Sequence, residues 1–68
     1  MEVNVERLKE LRREQVLSLR ELEERSGVSY NTIWRIEDGR QGAQQRTIRK
    51  LAGALGVEPS ELLVKGEE

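Results

Sequence analysis

The chain has 68 residues, 12 of them basic and 13 acidic, and a net charge of −1. It contains no cysteine and no histidine, so disulfides, the usual zinc sets and any Ser-His-Asp or Cys-His nucleophile are excluded. No apolar run approaches the ~18 residues of a membrane span, and the start MEVNVERLKE lacks the basic and apolar regions of a signal peptide; the expectation is one soluble, cytoplasmic domain, ordered over about residues 4–65, with no membrane, metal or cofactor partner.

Periodicity and capping residues predict helices only; no segment alternates as a strand does. The first helix runs from Val5 to Glu14, capped by Asn4, with Leu8 and Leu11 on one face. The second spans Leu19 to Ser26. Its start, Ser18-Leu19-Arg20-Glu21, fits the S-x-x-E capping box, in which hydroxyl and carboxylate each take a free backbone amide. The third spans Tyr30 to Asp38, capped by Ser29, with Ile33 and Ile36 inward. The fourth spans Gln45 to Leu55, with Ile48, Leu51, Ala52 and Leu55 inward. Pro59 suits the first position of a short fifth helix ending at Val64. Gly27, Gly39, Gly56 and Gly66 each follow a helical stretch, as C′ glycines do. Gly66-Glu67-Glu68 reads as a frayed tail.

The join between the second and third helices is the most informative stretch. Residues 26–29 read Ser-Gly-Val-Ser: Gly27 turns the chain, Val28 plugs the core and Ser29 starts the next helix. Two short helices joined by such a turn make a helix-turn-helix. Charge supports a polyanion partner at this place. Residues 27–50 carry net +3, against −1 before them and −3 after them, and local field matters more for docking than the total.

Residues 17–39, LSLRELEERSGVSYNTIWRIEDG, resemble the Cro/C1-type (XRE) helix-turn-helix family. The matching elements are Leu17-Ser18, Leu22, Gly27-Val28-Ser29, Thr32-Ile33 and Ile36-Glu37-x-Gly39. The likeness continues through Thr47-Ile48, Leu51-Ala52-x-Ala54-Leu55-Gly56-Val57 and Pro59-x-Glu61-Leu62-Leu63, covering about residues 5–64. It implies an all-α, compact five-helix bundle of the lambda-repressor-like DNA-binding type, with sequence-specific DNA binding by a transcriptional regulator. Leu19 stands where members often carry Gln, and the loop after the third helix lacks their frequent proline.

A helical wheel at about 100° per residue separates the faces of the third helix. With Ile33 and Ile36 inward, Asn31 and Arg35 share the outward face, four residues apart. Asn pairs with adenine N6 and N7, and Arg with guanine O6 and N7, in the major groove. The resemblance implies base reading by Tyr30, Asn31 and Arg35. Backbone contacts are expected from Ser18 and Leu19 at the second helix's N-terminus, where free amides meet a positive dipole end, and from Ser29, Thr32, Arg40, Gln44, Gln45 and Arg46. The resemblance also implies an ion pair between Arg12 and Glu37; the wheel places Glu37 about 70° from the core axis. Trp34 lies near the DNA-facing side, with three fates open: folded over neighbouring side-chain stems, laid on the groove wall, or anchoring a protein.

The leading reading is a repressor binding a palindrome as a homodimer on double-stranded DNA. No separate oligomerising domain is expected; the fifth helix and its flanks offer more apolar surface than one face of so short a helix needs, so the dimer contact is expected from Val57, Leu62, Leu63 and Val64. The alternative is an antitoxin or adaptor that uses the same fold to hold a protein. An enzyme is not expected, since no shielded acid-base pair is visible.

Overall fold

The computed structural model describes residues 2–64. Side-chain caps start three of its four α-helices. In α1 (Val5–Glu14), Asn4 Oδ1 accepts from the Arg7 N–H at 3.1 Å. In α2 (Leu19–Ser26), the capping box is complete: Ser18 Oγ accepts from the Glu21 N–H at 3.0 Å, and Glu21 Oε1 accepts from the Ser18 N–H at 2.9 Å. In α3 (Tyr30–Glu37), Ser29 Oγ accepts from the Asn31 N–H at 3.2 Å. Only α4 (Gln45–Leu55) begins without a side-chain cap, at Gln44. Local capping signals therefore place the helices where the sequence puts them, with α3 one residue shorter.

Gly27, Gly39 and Gly56 follow α2, α3 and α4 with φ of 79°, 76° and 76°. At Gly27 this left-handed backbone folds α3 back across α2, and the residue's lack of a Cβ makes it cheap. The end of α1 does the same without glycine, through Val16 at φ 54°.

Leu8, Leu22, Ile33, Ile36, Ile48, Leu51 and Leu62 are fully buried and form one core. Each such side chain is worth about 1.5–3 kcal/mol when removed from water. The helices meet around it as α2 on α3 and α4, and α1 on α3.

The fifth helix is corrected by the structure. Residues Pro59–Leu62 form a single 3₁₀ turn, and Leu63 is extended at φ −110°, ψ 146°. Leu63 forms an antiparallel bridge with Val3. The Asn4 N–H donates to the Leu62 carbonyl at 2.8 Å, and the Val64 N–H donates to the Glu2 carbonyl at 3.1 Å. These long-range bonds use backbone groups that a continuing helix would have taken, so the chain leaves the helix after one turn. Val3 thereby joins the core, and Arg7 Nη2 reaches Glu61 Oε1 at 3.0 Å across the same seam. The expected tail Gly66–Glu68 lies outside the described residues.

Candidate nucleic-acid interface

The orientation of α3 follows from what locks its inner face. Ile33 and Ile36 are fully buried. Glu37 is 7% exposed and receives two bonds from Arg12, Nε to Oε2 at 2.7 Å and Nη2 to Oε1 at 2.9 Å. Arg12 Nη1 also donates to the Leu17 carbonyl at 2.9 Å. One guanidinium on α1 thus holds both the end of α3 and the turn entering α2. Val28, buried between α2 and α3, donates its N–H to Ser26 Oγ at 3.1 Å. The helix-turn-helix is fixed from behind, which leaves its front to other work.

On that front, Asn31 and Arg35 are exposed. Among the described residues neither side chain has a hydrogen-bond partner, whereas Arg7, Arg12 and Arg40 each hold a carboxylate. Tyr30 is half-buried, with the Arg20 guanidinium carbon 4.5 Å from its ring centroid. Trp34 is 43% exposed. The Arg40 guanidinium lies 5.1 Å from its ring centroid and donates from Nε to Asp38 Oδ2 at 2.6 Å. Both distances lie within the range of a cation–π contact.

The two helix N-termini beside α3 differ in charge. At α2, the Ser18 backbone N–H and then its hydroxyl hold the Glu21 carboxyl below the ordinary range. Two of the amides there are matched within the chain, that of Ser18 by the Glu21 carboxylate and that of Glu21 by the Ser18 hydroxyl. At α4, the uncapped amides open beside a cleft whose lining includes the polar side chains of Thr32, Gln41, Gln44 and Thr47 together with Ile36 and Ala43. An uncapped helix start favours a phosphate oxygen.

A model of a helix-turn-helix domain matches residues 5–63. The chain belongs to the helix-turn-helix family. It is also similar to the restriction-modification controller protein C.AhdI from Aeromonas hydrophila, at 37% identity and a TM-score of 0.82, over 87% of this chain and 89% of that one. A comparison with curated proteins gives no match. Family and fold together make this helix-turn-helix protein a DNA-binding transcription regulator of the Cro/C1 type.

The helix-turn-helix protein places the remaining candidates unequally. Ser18, Ser29, Arg40, Gln44, Gln45 and Arg46 are exposed, and Thr32 is half-buried. Leu19 is half-buried and packs against the core. Of the expected dimer contact, Val64 is exposed, while Val57 and Leu63 are half-buried on the core's edge. Leu62 is corrected: it is fully buried inside the monomer and offers no surface to a second copy. The hydrophobic pattern alone does not separate adjacent Leu62 and Leu63; the extended backbone after the 3₁₀ turn does. Sequence reasoning missed the contact of Arg20 with the Tyr30 ring, which the packing of α2 on α3 creates, and the pairing of Asp38 with Arg40, two residues on across the turn after α3.

Proposed function

We propose that the protein represses transcription by binding a palindromic operator, with α3 in the major groove of each half-site. What supports this most is the pairing of Asn31 and Arg35: four residues apart, exposed, and without a side-chain hydrogen-bond partner among the described residues, on a helix whose other face is locked. Tyr30, Asn31 and Arg35 read base edges, Asn on adenine and Arg on guanine. Ser18, Leu19, Ser29, Thr32, Arg40, Gln44, Gln45 and Arg46 engage the backbone and set the register. The uncapped start of α4 supports the Gln44–Arg46 part of that set. Arg40 covers one face of Trp34, which favours this reading over a protein-anchoring module.

The protein acts as a homodimer on DNA, through Val57, Leu63 and Val64, with half-sites one helical turn (about 34 Å) apart. It works without catalysis or cofactor, in the cytoplasm. Among the described residues no helix is long and apolar enough to cross a membrane.

Selection from a random DNA pool, followed by titration of the selected site, tests the reading. Arg35→Ala costs about 1–3 kcal/mol on that site and relaxes preference at one base pair. Arg40→Ala weakens all duplexes alike and lowers the salt slope by about one. Equal weakening of selected and random DNA by Arg35→Ala would remove the base-reading role. A monomer in sedimentation with one protein per operator would remove the dimer.

A further inference from the structure

Arg20 has no part in the recognition described so far. It stands in the first turn of α2, exposed, and its guanidinium carbon lies 4.5 Å from the centroid of the Tyr30 ring. Among the described residues its N–H donors meet no acceptor within hydrogen-bond distance and its charge meets no carboxylate. The adjacent acid, Glu21, is committed to Ser18. Arg40, by contrast, also lies on a ring but has surrendered Nε to Asp38.

We propose that Arg20 is a DNA-phosphate contact, and that the Tyr30 ring is the platform that positions it. The inference rests on the DNA reading of α3. Three features of the chemistry carry it. A guanidinium stacked on an aromatic face keeps its hydrogen-bonding edge free, and that planar fork matches a phosphate. The first helix of a helix-turn-helix crosses the sugar-phosphate backbone, so the first turn of α2 faces phosphate rather than base. And the ionised Glu21 offsets the positive end of α2, so that end attracts phosphate only if a cation beside it restores the field. Arg20, one residue before Glu21 and held by the start of α3, supplies that cation. Leu19 cannot.

Titration of the selected operator and of a random duplex, at several salt concentrations, tests the proposal. Arg20→Ala weakens both duplexes by a similar factor, about tenfold, and lowers the salt slope by about one. Arg20→Lys keeps the slope and loses severalfold in affinity, since the charge stays and the stacked fork goes. The platform is read on random DNA, where base readout does not contribute. There, Arg20→Ala costs the same factor in a Tyr30→Phe background and much less in a Tyr30→Leu background. Unchanged affinity and slope in Arg20→Ala overturns the phosphate contact. Equal costs in the Phe and Leu backgrounds overturn the platform. If the parent protein shows no salt-sensitive duplex binding, the DNA reading itself fails. If it binds and Arg35→Ala relaxes specificity while Arg20→Ala is neutral, only this inference fails.

Discussion

Two arginine–carboxylate pairs lie side by side at the end of α3. Glu37 turns inward, and Arg12 meets it with two parallel bonds and a third to the Leu17 carbonyl. Asp38, the next residue, turns outward and meets Arg40 with one bond, the two side chains 46% and 65% exposed. The charges are the same and the shortest distances are 2.7 and 2.6 Å. Solvent separates them. In the drier seam between α1 and α3 the field is weakly screened, so losing one partner strands a charge. On the open lip, water takes over whatever partner leaves. The inner pair therefore belongs to the scaffold, and the outer one belongs to a surface that exchanges partners.

The largest effect that tests this contrast is expected from Glu37→Ala. It leaves the Arg12 guanidinium in the seam without its carboxylate, and the loss is about 3 kcal/mol in urea unfolding. Glu37→Gln still accepts one bond and loses less, about 1–2 kcal/mol. Replacing both partners together by apolar residues of similar volume is close to neutral. If Glu37→Ala unfolded no more easily than the parent, the seam would be as wet as the lip and the contrast would collapse.

The middle effect concerns the turn that supplies Arg12 with its third bond. After α1, the Leu17 N–H donates to the Arg12 carbonyl at 3.0 Å and the Val16 N–H to the Arg13 carbonyl at 2.9 Å, the Schellman pattern of a helix end. The pattern puts Val16 in the left-handed region, at φ 54°. A β-branched residue there costs about 1–2 kcal/mol. Val16 is 84% exposed, so its side chain contributes little packing in return. Glycine relieves the strain but adds unfolded-state entropy of about 0.5–1 kcal/mol. Val16→Gly is expected to stabilise by about 0.5–1 kcal/mol in thermal or urea unfolding. A destabilised variant would mean that Val16 holds the seam by packing.

What was legible in the sequence follows the range of the interactions. Ser18-x-x-Glu21 and Gly27 act on their own neighbours, so the helix-turn-helix could be read residue by residue. Asn31 and Arg35 face outward because Ile33 and Ile36 face inward, a consequence of helical period alone. The fate of residues 59–64 was not legible: Pro59 marks a start, but the stop is set by Val3, at the far end of the chain. The rings under Arg20 and Arg40 were hidden for the same reason, since they depend on a helix crossing and on the path of a loop. Adjacent Glu37 and Asp38 look alike to a composition count; only the wheel separates them, and the partner of Glu37 came from resemblance.

The smallest effect is expected at Asp38, and it makes the sharpest test of the contrast. Asp38→Ala frees Arg40 from its one ionic bond without burying or exposing anything else of consequence. Stability should move by no more than about 0.5 kcal/mol. The indole should notice even so. Arg40 stays over Trp34 partly because Asp38 holds its Nε, and Trp34 is the sole tryptophan, so its emission and quencher access report the guanidinium directly. Salt then discriminates between the two pairs. At about 1 M salt the screening length falls to about 3 Å, and whatever difference Asp38→Ala makes to stability should vanish there. The cost of Glu37→Ala should persist, because mobile ions do not enter the seam. Equal salt sensitivity of the two variants would mean that one mechanism governs both pairs and that their difference in burial is without energetic consequence.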